Sequence, residues 1–361
     1  MKFVFSVMFL CFLGILSVSA AENSFSITKD KNTETYTILD GDLPALSYHF
    51  GVVPYPKDQK VHYFSKKATP YDGAYYSDGS AFGADRSDYI QPVYGFNGEP
   101  LTDDYPKDHP HHRGLWWSWC EVRWNDKIGD IWAVNKIRAY PKGTVKTTIG
   151  KDFAELEAVN VWKFDGDPTE IVKEISRIRV SKTTGIEGKK SRNIDLSLEL
   201  EALVDGVAIA GRQKVNYGGY GGIALRMVPE AEDFSIRTVH PAPDQWRGSD
   251  DKMAEIITDP QKFGKAAWLS IFGKYPTLEK KAAADFTTIT MFESEKNPLF
   301  PNPFRYYSSR NIMIAFPAFH VFSLGKNAPV SYKCRFRIQQ GKSDPISEWN
   351  SWKEYQNLNA E

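Results

Sequence analysis

The segment Asp108-His109-Pro110-His111-His112-Arg113-Gly114 places three of the seven histidines within four positions, beside a carboxylate and a guanidinium. Trp116, Trp117 and Trp119 follow at once. Imidazole is the side chain whose unperturbed titration falls between pH 5 and 8, and it is the commonest metal ligand. Arginine is the fork that grips carboxylates, and an indole face accepts a stacked ring or a cation. Such a mixture is poor core material, so the cluster marks a candidate site.

Several chemistries fit these residue types. Pro110 removes a backbone donor and biases His109 towards an extended conformation. In an extended segment His109 and His111 share one face and His112 points to the other. A metal would then need a further ligand, from Asp108, His240 or His320, and the spacing matches no standard zinc pattern, so no metal or cofactor is expected. Acid/base chemistry needs less: one imidazole held by a carboxylate such as Asp108, titrating near neutrality. Arg113 would then neutralise a substrate carboxylate, as β-elimination from a uronic acid requires. A glycosidase would instead need two facing carboxylates, drawn from Asp103, Asp104, Asp108, Glu121 and Asp130. The plainest alternative is that the histidines only cap or cross-link a loop.

The expected catalytic residues are therefore His111, His112 and Arg113. His109, Trp116, Trp119, Tyr220 and Arg226 are expected to contact substrate. In an alternating strand Trp117 and Trp119 share one face and Trp116 takes the other. Tyr220 lies in the run Gly218-Gly219-Tyr220-Gly221-Gly222, which lacks the Lys-Ser/Thr of a phosphate loop and reads as a tight turn or a close backbone approach. His240-Pro241 and Trp246-Arg247-Gly248 fall in another polar loop that could reach the same rim.

These groups need a scaffold, and the rest of the chain describes one. Ile194, Leu196, Leu198, Leu200 and Ala202 alternate with polar residues, as do Val330, Tyr332, Cys334, Phe336 and Ile338. That period is the mark of half-buried antiparallel strands. Further strands are expected over 25–29, 33–39, 45–50, 145–149, 153–163, 171–180, 266–273, 286–293 and 311–322. Helix is expected only over 347–358 and briefly over 251–258. The predicted fold class is all-β, a large two-sheet antiparallel sandwich formed by residues 21–361 as one domain. Residues 54–125 lack clean alternation and read as a long functional loop region carrying the histidines.

Lys2, the apolar run Phe3 to Leu16 and Val18-Ser19-Ala20 read as a signal peptide over 1–20, which predicts a periplasmic or secreted protein. Its removal leaves 44 basic against 45 acidic side chains, which argues against a nucleic-acid partner. No later stretch is long and apolar enough for a membrane span, so no membrane insertion is expected. Cys120 and Cys334 do not make a disulfide framework, and Cys334 falls on an apolar strand face.

Tyr89-Ile90-Gln91-Pro92-Val93-Tyr94, Asn97-Gly98, the histidine segment through Trp116, and Asp130-Ile131-Trp132 together resemble the PmoA-like family of mostly exported bacterial proteins. The resemblance is dense over roughly 89–132 and looser elsewhere, at Gly221 to Arg226 and Asn297 to Phe304. It implies company with glycan-degrading systems and a β-sandwich similar to galactose mutarotases. The expected function is thus an exported carbohydrate-active lyase or hydrolase acting on an acidic or modified glycan. A non-catalytic glycan-binding protein is the alternative, and a metal-dependent oxidoreductase a third reading.

Overall fold

A computed structural model describes residues 25–55, 85–106, 109–186, 188–213, 218–239, 256–257, 268–277, 285–307 and 310–358. The signal segment, Asp108, the His240 and Trp246 loops and nearly all of the helix expected over 251–258 lie outside the described residues.

The chain is mostly β, with antiparallel strands throughout its sheets. An eight-stranded sheet runs in the order 25–30, 35–40, 43–49, 89–93, 115–118, 222–226, 311–315, 304–307. An eleven-stranded sheet has at its heart Phe153–Phe164, Val172–Ser181, Lys189–Ala202 and Val330–Gln340. A small four-stranded sheet pairs 321–323, 208–210, 121–124 and 127–129. Leu196 stands opposite Cys334 on one side and Ile178 on the other, so the alternating apolar residues form one continuous face. That face and the inner face of the eight-stranded sheet share a single apolar core, in which Leu46, Leu115, Trp117 and Ile223 meet Leu156, Ile178, Leu196 and Phe336. Burial of this surface is the main stabilising contribution.

The central strands of the smaller sheet behave differently. Leu115–Ser118, Gly222–Arg226 and Asn311–Ala315 are buried at every position. Both faces of the sheet are covered there, which removes the period-two signal. The interval 54–125 is accordingly not one loop: it holds the strands Tyr89–Val93, Leu115–Ser118 and Glu121–Trp124. The strand expected over 311–322 is likewise two, 311–315 and 321–323, parted by a turn at Phe316-Pro317. The terminal helix is Pro345–Leu358, with Trp352 and Tyr355 buried against Trp268 and Phe292. Cys120 and Cys334 are both buried and free. Among the described residues no helix is long and apolar enough to cross a membrane.

Candidate functional site on the outer face of the eight-stranded sheet

The histidine segment is a turn and not an extended strand. His112 N donates to the His109 carbonyl at 2.8 Å, with Pro110 at the second position that proline favours in such turns. The expected split of the rings between two faces therefore fails, and all three come together. His109 and His112 stack at 4.7 Å between centroids and 10° between planes. His111 stands edge-on to His112 at 4.5 Å. His109 is half-buried, whereas His111 is 9% and His112 3% exposed, so His109 presents the cluster to the surface.

Gly114 lets the turn lie against its neighbour. A Cβ there would stand 2.2 Å from the Ile90 carbonyl oxygen, a contact only glycine avoids. The strand Gly222–Arg226 then brings Arg226 to the turn: its amide donates to the Gly114 carbonyl at 2.8 Å and its Nη1 lies 3.5 Å from His112 Nδ1. Arg113, 1% exposed, donates from Nη1 to the Pro110 carbonyl at 2.7 Å and lies over the Tyr105 ring at 3.1 Å. Asp104 Oδ1 is 3.6 Å from the same guanidinium, while the Tyr89 hydroxyl donates to Oδ2 at 3.3 Å. Arg86, which sequence reasoning missed, is buried and donates to the Trp132 carbonyl at 2.9 Å.

The electrostatics follow from crowding. Burial pushes His111 and His112 well below the usual imidazole range; the neighbouring rings, Arg113 and Arg226 act in the same direction on both, and Arg86 on His111. Both rings are therefore neutral at pH 7, unlike the near-neutral titration expected. The carboxyls move oppositely. Burial raises Asp103 and Asp104 to about 6, against the pull of Arg226 and Arg113 respectively, and Asp130 to about 7. The groups titrating near neutrality here are carboxylic acids.

The indoles divide as alternation requires. Trp117 and Trp119 face the sandwich core, where Trp119 packs on Trp162 and donates to the Phe316 carbonyl at 2.9 Å. Trp119 is thus core material, away from the histidines. Trp116 sits on the other face, 5.2 Å from His112 and 4.9 Å from Trp132. Tyr220 is half-buried and packs on Trp132 at 5.6 Å and on Tyr307 at 6.0 Å. Its glycine run is the close backbone approach: a Cβ at Gly222 would meet the Ile314 oxygen at 2.5 Å. Of the eight expected site residues, seven therefore gather on one face and Trp119 does not. Two polar atoms on that face, Trp116 Nε1 and Asp130 Oδ2, are buried with no hydrogen-bond partner among the described residues. Among those residues no three His, Cys, Asp or Glu side chains are arranged to hold a metal ion.

A family model described as "Family of unknown function (DUF6807)" matches residues 65–352. No curated protein and no solved structure matches the chain.

Proposed function

The chain belongs to the DUF6807 family, whose model spans most of its length, and from that premise and the geometry of the site we propose that it is an exported carbohydrate-active enzyme that eliminates across a uronic-acid linkage. The observation that carries this reading is the turn 109–112, where three imidazoles converge, two of them held neutral among guanidiniums. A neutral imidazole is a proton acceptor, and arginines stabilise the negative charge that develops when a proton leaves carbon beside a carboxylate. The half-buried His109, backed by His111 and His112, takes that proton. The electron pair forms the new double bond, and the departing glycosidic oxygen receives a proton from a carboxyl group of the Asp103, Asp104 and Asp130 set. The unpartnered Trp116 N–H and Asp130 Oδ2 supply a donor and an acceptor that a bound sugar would satisfy. The resemblance to the PmoA-like family, the mutarotase-like sandwich it implies, and the signal-like first twenty residues support the same exported, glycan-linked role.

A second reading, a non-catalytic glycan-binding protein, draws on the commitment of Arg113 to Tyr105, Pro110 and Asp104. One experiment separates the two. The purified chain is incubated with uronate-containing and neutral glycans, and unsaturated ends and new reducing ends are measured. Unsaturated products support elimination, and new reducing ends without unsaturation support hydrolysis. Binding without products supports the binder, and neither binding nor products refutes both.

A further inference from the structure

A second polar constellation lies inside the sandwich, below the edge of the eight-stranded sheet. It borders a cavity of about 170 Å³ whose wall includes Arg86, Ser87, Asp88, Trp117, Tyr140 and Glu174. Val52 and Asp85 are exposed at its rim, whereas Asp88 and Glu174 are buried at its floor. Glu174 accepts from Trp117 Nε1 at 2.5 Å, Trp162 Nε1 at 2.7 Å and the Ser176 hydroxyl at 2.8 Å. Asp88 accepts from the Tyr48 hydroxyl at 2.7 Å, and burial, with the neighbouring Glu174 carboxylate, pushes its carboxyl well above the usual carboxylate range. Asn160, directly across the strand pair from Glu174, is fully buried beside Tyr48.

The charge count selects the ligand class. Arg138 is held by Asp165, Nε to Oδ1 at 3.0 Å, so Arg86 alone stands against Asp85, Asp88 and Glu174 and the wall disfavours an anion. Its groups instead alternate donors and acceptors beside aromatic surface. Asp88 and Val134 are also held in the left-handed region, at φ 65° and 54°. That conformation is an outlier for a β-branched residue, and such strain concentrates at ligand sites.

We propose that this cavity is a second binding site, for one neutral polyhydroxylated ring such as a free hexose. In this site the Asp88–Glu174 pair, Arg86 and Ser87 read the hydroxyls, and Trp117 and Tyr140 supply aromatic surface. No histidine among the described residues lines it, so it can be tested apart from the elimination reading, although Arg86 borders both regions.

Calorimetric titration of the intact chain with neutral hexoses, and in parallel with the matching uronic acids, tests the site. The expected result is saturable binding of a neutral hexose in preference to its uronic acid. Val52→Trp at the rim and Ala139→Leu on the wall should each weaken it at least tenfold without lowering the melting temperature, since both positions are at least partly exposed. His109→Gln should leave hexose binding unchanged while removing elimination, so the two readings fail separately. The proposal is overturned if no neutral hexose gives saturable heat, if the uronic acid binds better, or if both cavity-filling variants bind as tightly as the parent.

Discussion

The two large sheets use the same backbone pattern for opposite ends. In the eleven-stranded sheet the strands Phe153–Phe164, Val172–Ser181 and Lys189–Ala202 keep one face in the core and turn the other outwards. There Arg177 pairs with Glu157 at 2.6 Å and with Glu199 at 3.8 Å. The centre of the eight-stranded sheet is covered on both faces, and its outer face holds His112, Arg113, Arg226 and Asp130, all buried. Water solvates the outer charges of those three strands, whereas the buried charges at the centre of the eight-stranded sheet must be solvated by one another. The chemically shifted groups therefore collect where alternation disappears.

The sharpest way to break that contrast is to empty the histidine turn. His109→Gln and His111→Gln should each lower turnover on a uronate glycan by about 10²–10⁴ while the melting temperature stays near the parent's. Variants that keep full turnover would reduce the turn to packing. The converse lesion lies in the larger sheet. Leu196, buried between Ile178 and Cys334, should cost about 2–5 kcal/mol of stability in Leu196→Ala, read by chemical denaturation, and leave the Michaelis constant unchanged. A changed Michaelis constant would mean that the sheets are not independent in function.

A smaller effect tests the electrostatics. Burial raises the Asp130 carboxyl to about 7, so the folded chain retains a proton that the unfolded chain releases near its ordinary value of 3.8. Its contribution is complete below that value and is lost as pH rises towards about 7. His111 and His112 act with the opposite sign. Their rings stay neutral in the fold, so protonation of the unfolded chain erodes stability as pH falls below the ordinary imidazole value of 6.5. Asp130→Asn should flatten the first slope alone and gain on the parent as pH rises. Melting curves that run parallel from acid to neutral pH would sink this assignment. The least effect is expected at the solvated face: Arg177→Ala should cost less than about 1 kcal/mol. A larger loss would show that the outer face of the big sheet is more than a solvated surface.

The same contrast explains what the sequence made legible. Strands 153–164, 172–181 and 189–202 could be read because their residues alternate in and out of water, and 330–340 because polar residues alternate with apolar ones in its sequence. Leu115–Ser118 and Gly222–Arg226 could not, because burial on both faces erases the period and they are only four and five residues long. Trp268–Lys274 and Thr287–Glu293 are buried at nearly every position too, but are long enough to read from composition. The convergence of the histidines is hidden in the sequence because Pro110 both biases His109 towards extension and suits the second position of a turn, and only the fold selects the turn. Glu174 was readable in principle. It falls in phase with Val172, Ile178 and Val180, so the alternation that buries them buries a carboxylate too. Arg86 and Asp88 carried no such signal, since only the fold brings them to Trp132 and Glu174.

The strand Gly222–Arg226 is inserted between Leu115–Ser118 and Asn311–Ala315, so Ile223 finds Trp117 on one side and Ile314 on the other, each about a hundred residues away along the chain. Closing loops of that size is entropically slow, and neither flank can complete the sheet centre alone. Arg226 reaches the histidines only after this closure. During refolding, secondary structure in the locally paired hairpins should therefore return first, and function should lag behind it, reappearing only when the last long-range pairing is made.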